Sequence, residues 1–374
     1  MNTTCDFLII GGGIAGISAG ARLSADASVT VLEMEKSIGF HSTGRSAAMI
    51  IRNYGNATLR ALNAASYPFL ENPEGVSDHS LLSPRGELMV ANETEMPALD
   101  AYCDGGIGIE RLTGKEAAEI VPILRVDQIA GAAMERDAQE IDVDRMLQGF
   151  AKMLRRNGGQ VVHDAAATAI TRKNGIWHVV TKQGEFSAPV LINAAGGWAD
   201  IIAKMAGVAP KGIQPMRRSA ALIPPPDGHD ISKWPLFVSA AESWYAKPES
   251  GQLMISPADE DHVEPHDVWA EDMVLAEGIE RYQQMVTTPV TRITHTWAGM
   301  RSFAPDRTLV VGFTPDTDGF FWLAGQGGYG IQTAAAVSEL VADLCLGRDV
   351  GLPGQIVTAL TPERDALKAF HRSQ

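Results

Sequence analysis

The chain has 374 residues, 45% hydrophobic and 20% charged, with 45 Asp and Glu against 31 Lys and Arg for a net charge of −14. This length exceeds a single core, so two domains, or one with a large insert, are expected in an ordinary globular protein. The acidic balance argues against nucleic-acid and anionic-membrane surfaces, which select for basic patches.

Three cysteines (Cys5, Cys103, Cys345), none in a C-x-x-C pair, suit a reduced, cytoplasmic protein. No basic-then-apolar leader precedes the first apolar run, and no stretch of about 18 apolar residues is present, so neither a secretory signal nor a membrane span is expected.

That first run, Phe7-Leu8-Ile9-Ile10, reads as a buried strand entering Gly11-Gly12-Gly13-Ile14-Ala15-Gly16 and then a helix to about Leu23. In G-x-G-x-x-G spacing Gly11 permits the turn, Gly13 lets backbone approach a pyrophosphate, and Gly16 lets helix pack on strand. The helix start, at Ile14 and Ala15, presents N–H groups and a partial positive charge to phosphates. A second strand, Val29 to Leu32, ends on Glu33 and Met34, where a Rossmann unit places the acid that accepts from a ribose diol. The chain therefore opens on an ADP-binding unit, with NAD and FAD both open at this point.

The segment from Gly39 to Met49 is rich in Gly, Ser and Thr, including His41, Ser42, Thr43, Arg45, Ser46, Ala47 and Ala48. It is expected to be a hydroxyl-rich loop feeding a small-residue helix against phosphates or a planar ring. Residues 58–140 lose the strand–helix rhythm. Leu81 to Val90 reads as a turn into a strand, and Thr113 to Ile120 as a capped helix stopped by Pro122.

Rhythm returns at Asp142, an N-cap for a helix with Val143, Met146, Leu147, Phe150, Met153 and Leu154 on one face. A further strand, Val190 to Asn193, runs into Ala194-Ala195-Gly196-Gly197-Trp198, a second close approach of backbone to a ligand. Short strands between Met216 and Met285 suggest an antiparallel sheet. His262 and His266 mimic a metal pair, but Pro265 breaks any helix between them, and no metal site is expected. Finally, Phe320 to Ala324 enters Gly325-Gln326-Gly327-Gly328-Tyr329-Gly330-Ile331-Gln332 and a helix to about Leu346, presenting another helix N-terminus.

Together the glycine unit, the Gly39 to Ala48 loop, the Asn193 to Gly197 strand end and the Gly325 to Gln332 junction resemble the FAD-dependent D-amino-acid oxidase/glycine oxidase family over nearly the whole chain. Within it, His41 to Ala48, Leu81 to Arg85, His295 to Phe303 and Gln326 to Thr333 closely resemble the bacterial D-arginine dehydrogenases. The resemblance implies an α/β fold: a Rossmann-like FAD-binding domain (1–57, 141–215, 295–374) with an inserted α+β substrate domain (58–140, 216–294). It implies non-covalent FAD along Gly11, Gly13, Ile14, Ala15, Gly16, Glu33, Met34, His41, Ser42, Thr43, Arg45, Ser46, Ala47, Ala48, Ala195, Gly196, Trp198 and Gly327 to Gln332.

By the same resemblance Arg218 and Arg301 hold a substrate carboxylate, Tyr54 and Tyr245 are pocket tyrosines, Gly328 borders the substrate, and Glu87 faces a basic side chain. Met49 and Ile51 stand where those enzymes carry a histidine and a threonine, which makes that end more apolar. The implied activity is oxidative deamination of D-amino acids, basic ones such as D-arginine or D-lysine among them. Hydride passes from Cα to flavin N5, the imino acid hydrolyses to a 2-oxo acid and ammonia, and oxygen or a quinone-like molecule accepts the electrons. Alternatives on the same fold are oxidation of secondary amines such as sarcosine or opines, and a flavoprotein electron-transfer subunit. Location is expected in the cytoplasm or peripherally at the inner membrane face.

Overall fold

The computed structural model describes residues 2–372. Its first large sheet has six strands in the order Gln160–Val162, Val29–Leu32, Phe7–Ile10, Val190–Asn193, Phe320–Ala324 and Val310–Phe313. Every pair is parallel except the last. Both faces are covered, which is why these strands are apolar throughout rather than alternating. Phe7, Ile9, Phe321 and Leu323 face the helices Ile14–Leu23, Val143–Arg156 and Gly330–Leu346. Leu8, Ile10, Phe320 and Trp322 face a smaller core closed by Trp177 and Phe186 of a four-stranded sheet.

The second large sheet has eight strands: His295–Phe303, Gln214–Ile223, Gln252–Ser256, Tyr245–Glu249, Leu236–Ser239, Glu87–Ala91, Gly131–Glu135 and Ile109–Leu112. Only the pair Leu236–Ser239 with Glu87–Ala91 is parallel. Leu88, Phe237, Trp244 and Ile255 pack on one face with Tyr282 and Met285 of the helix Asp272–Met285. On the other face Met89, Val238, Tyr245 and Met254 gather Met49 and Tyr102 around them. The fold is α/β, with a Rossmann-like unit and a mainly antiparallel second sheet.

Three features depart from expectation. The small-residue helix after Gly44 is absent: one 3-10 turn, Thr43–Arg45, gives way to an extended Ser46, and Ala48 takes a φ of 58°. The chain is pulled straight because Met49–Ile50 hydrogen-bonds to Gln139–Ile141 in a three-stranded sheet. The helix Ala57–Glu71 was not anticipated; Asn56 caps it, and Leu59, Leu62 and Leu70 enter the core beside the glycine-loop helix rather than the second sheet. The segment from 295 begins with a strand of the eight-stranded sheet, paired along Gln214–Ile223, so in this respect it goes with the second sheet up to Phe303.

Candidate active site

A cavity of about 930 Å³ lies between the two large sheets. One wall is formed just beyond the carboxyl ends of Phe7–Ile10, Val29–Leu32, Val190–Asn193 and Phe320–Ala324, where an open parallel sheet binds ligands. The opposite wall carries Glu87, Met89, Arg218, Val238, Tyr245 and Arg301. All the anticipated site residues line it except Gly16.

Gly11 has a φ of 114°, and a Cβ there would lie 2.3 Å from the Ala194 carbonyl oxygen. At position 16 only glycine fits, because a Cβ there would lie 2.0 Å from the Gly11 oxygen; Gly16 packs helix on strand and does not line the cavity. Glu33 is fixed by two backbone donors, Gly12 N–H to Oε2 and Glu35 N–H to Oε1, each at 2.8 Å. Burial nevertheless pushes its carboxyl above the ordinary value.

The Thr43 hydroxyl accepts the Ile14 N–H at 3.0 Å, so one of the helix's first amides is already satisfied. Ser42 donates to the Met300 carbonyl at 2.6 Å, and the His41 ring packs on Trp198 at 4.7 Å. The Arg45 guanidinium is committed to Asp267 and to the carbonyls of Val268 and Ala298, so it ties the loop to the second sheet instead of offering a free cation. Met34, Ser46, Ala47, Ala48, Ala195 and Gly196 complete this part of the wall. At the last junction Gln332 accepts the Ile51 N–H at 3.2 Å while its buried Nε2 has no partner.

Arg301 Nη1 lies 3.4 Å from the Tyr54 hydroxyl. A Cβ on Gly328 would come within 3.0 Å of that hydroxyl and 3.1 Å of Nη1, so a side chain there would fill the space between them. Among the described residues no carboxylate is paired with Arg301. Burial pulls its pKa down, but Tyr54, Tyr245 and Glu260 outweigh burial and hold it above the ordinary arginine value. Arg218 donates to Glu260 at 2.8 Å and keeps a buried, unpartnered Nε; burial and then the Arg301 charge lower its pKa. Burial raises the Tyr245 phenol, yet Arg301 and Arg218 bring it below its usual value.

Elsewhere in the cavity the Tyr102 hydroxyl is 2.9 Å from Glu87 Oε2 and 3.1 Å from Glu135 Oε2. Glu87 is pushed up to about 8, by burial first and by the Glu135 charge second. Met49 packs in the apolar cluster with Met89, Leu236 and Val238, and Ile51 is buried beside the Gln332 junction.

The sequence model of the family described as DAO, FAD dependent oxidoreductase, matches residues 6–344. The chain belongs to the DAO family. A 4-methylaminobutanoate oxidase (formaldehyde-forming) of Paenarthrobacter nicotinovorans is 24% identical over 96% of this chain and 45% of its own length. A glycine oxidase of Bacillus licheniformis is 24% identical over the full length of both. The chain spans about half the length of the first curated relatives it matches. A crystal structure of L-proline dehydrogenase from P. horikoshii shares the fold, with a TM-score of 0.83, 22% identity and full coverage of both chains.

FAD is thus the cofactor, and the DAO-family cavity fits it. Two helix N-termini without acidic residues in their first turns border the cavity. Glu33 stands at the strand end suited to a ribose, and Gln332 Nε2 and His41 Nδ1 are buried polar atoms awaiting partners. Around this cavity, sequence reasoning missed Tyr102 and Asn53, which line it, and Glu135 and Glu260, which hydrogen-bond to lining residues from behind. Register was the missing signal, since Glu135 lies opposite Glu87 only once the strands are paired. Among the described residues no helix is long and apolar enough to cross a membrane.

Proposed function

We propose that this FAD-dependent oxidoreductase deaminates D-amino acids oxidatively and that its pocket accepts basic side chains such as those of D-arginine and D-lysine. The supporting observation is the Arg218, Arg301, Tyr54 and Tyr245 group on the cavity wall, in which Arg301 has no paired carboxylate among the described residues. Guanidinium forks grip a carboxylate bidentately, and a cavity-wall guanidinium with no carboxylate bonded to it is a site for one.

When bound, FAD supplies the acceptor for the hydride leaving the substrate Cα. Arg301 and Arg218 hold the carboxylate, the Tyr54 and Tyr245 hydroxyls add donors to it, and Gly328 leaves room for the reacting carbon. The amine enters neutral, so these residues contribute positioning rather than a strong base. Water hydrolyses the released imino acid to a 2-oxo acid and ammonia, and oxygen or a quinone-like molecule takes the electrons. Glu87 provides the anion for a basic side chain.

A second reading is oxidation of a secondary amine, favoured by the 4-methylaminobutanoate oxidase among the relatives. It uses the same carboxylate grip and differs in what surrounds the nitrogen. Anaerobic bleaching of the flavin band separates the two. D-arginine, D-lysine and apolar D-amino acids are compared with their L-forms and with sarcosine and 4-methylaminobutanoate. Rapid bleaching by D-forms alone supports the first reading, and bleaching by N-methylated compounds alone replaces it with the second.

A further inference from the structure

Glu87 and Glu135 face each other in register on adjacent antiparallel strands, buried to 6% and 2% exposure. Between them stands one phenol, Tyr102, from the helix Met96–Gly105. Glu135 is well supplied with donors: Arg52 N–H at 2.7 Å, Asn53 N–H at 3.4 Å and Asn53 Nδ2 at 2.6 Å. Among the described residues the sole hydrogen-bond partner of the Glu87 carboxyl is Tyr102. Among the described residues no Lys, Arg or His side chain is bonded to or paired with either carboxyl, and the remaining charge acting on Glu87 is the acidic Glu242.

A phenol owns one proton and cannot donate to two carboxylates at once. With both acids ionised, one of them would face the phenol's lone pairs in a buried site, a costly arrangement. Two arrangements remove the conflict. Either Glu87 carries a proton and donates to Tyr102, which donates to Glu135, or a cation from the ligand sits against ionised Glu87.

We propose, resting on the carboxylate-grip reading above, that Glu87, Tyr102 and Glu135 form a site for a single positive charge. A bound side chain's guanidinium or ammonium supplies that charge by displacing a proton, and an apolar side chain binds with the proton retained. Met49 and Ile51 suit the second mode and ionised Glu87 the first, so one pocket takes both substrate classes and pH sets their ranking. The raised affinity of Glu87 for protons, to about 8, places the exchange near neutrality.

The test uses the FAD-loaded protein and two acids without an α-amine, which cannot be oxidised: 5-guanidinopentanoate and its neutral isostere 7-methyloctanoate. Binding is followed through the perturbed flavin absorbance between about pH 6 and 9.5. Both ligands carry the same carboxylate, so titrations at the arginine end cancel in their ratio. Below about pH 8 the affinity ratio of guanidino to neutral ligand should rise by up to about tenfold per pH unit, reflecting one displaced proton. In Glu135→Gln a given ratio should be reached at lower pH, because the like charge is gone. A pH-independent ratio with both ligands bound overturns the proton exchange and leaves the carboxylate grip standing. Binding of 7-methyloctanoate without 5-guanidinopentanoate at any pH overturns the basic-substrate reading, and binding of neither overturns the carboxylate pocket.

Discussion

Arg218 and Glu260 form an ion pair at 2.8 Å, and the same Glu260 oxygen accepts from Arg307 at 2.9 Å. Glu260 therefore both anchors Arg218 and offsets its charge. The two roles separate by substitution. Glu260→Gln keeps an acceptor and removes the charge, so KM for a carboxylate substrate should fall about two- to fivefold, the scale of a partly exposed pair. Glu260→Ala removes the anchor as well, and KM should rise while kcat changes less. Equal KM values in wild type and both variants would remove Glu260 from the binding account.

Arg301 leads to a sharper expectation. Arg301→Ala should lower kcat/KM by about a hundredfold or more, the usual consequence of deleting one side of a buried charged contact. Arg301→Lys should recover little, since an ammonium cannot reproduce the fork. Flavin content should be unchanged in both, read as the absorbance ratio of purified protein.

Gly13 and Gly16 sit in one motif and should fail differently. A Cβ on Gly13 would meet only the Thr43 hydroxyl, at 3.3 Å, whereas one on Gly16 would lie 2.0 Å from the Gly11 oxygen. Gly16→Ala should lower Tm even in FAD-free protein, because helix and strand must part. Gly13→Ala should leave the FAD-free Tm within about 2 °C of wild type and weaken FAD binding. A matching loss of Tm in both would assign the two glycines one packing role.

Glu87 also shapes stability against pH. Its folded value of about 8 exceeds the ordinary 4.5, so between these the folded chain holds the extra proton. The contribution is complete below about 4.5 and is lost as pH rises toward 8. Without ligand, wild-type Tm should fall more steeply than that of Glu87→Gln between about pH 5 and 8, and a differential scan in matched buffers reads the difference.

Much of the cofactor wall was legible because it depends on local signals. Four apolar residues followed by glycines can be little else than a buried strand at a close approach, and Phe7–Ile10 is buried throughout. Asp142 and Thr113 cap their helices as the sequence pattern indicates. The segment Ser46 to Ala48 misled for the converse reason: small residues suit a helix, but pairing of Met49 with Glu140 determines its course. Ala57–Glu71 escaped notice because polar residues and Pro68 blur its narrow apolar stripe. Tyr102 and Glu135 could not be chosen from among six tyrosines and many more glutamates, since only strand register and a docked helix bring them to Glu87.

The central sheet places Phe7–Ile10 beside Val190–Asn193, and that strand beside Phe320–Ala324. Synthesis runs from the N-terminus, so the glycine turn leaves the ribosome long before the strands that flank and support it. Gly11 rests against Ala194, and the wall is completed by the junction that ends at Gln332. The nascent chain thus cannot assemble its flavin cradle until it has been made through Gln332. Cofactor capture therefore waits for that junction, and a chain truncated before Phe320 would carry an intact glycine motif with nothing to hold.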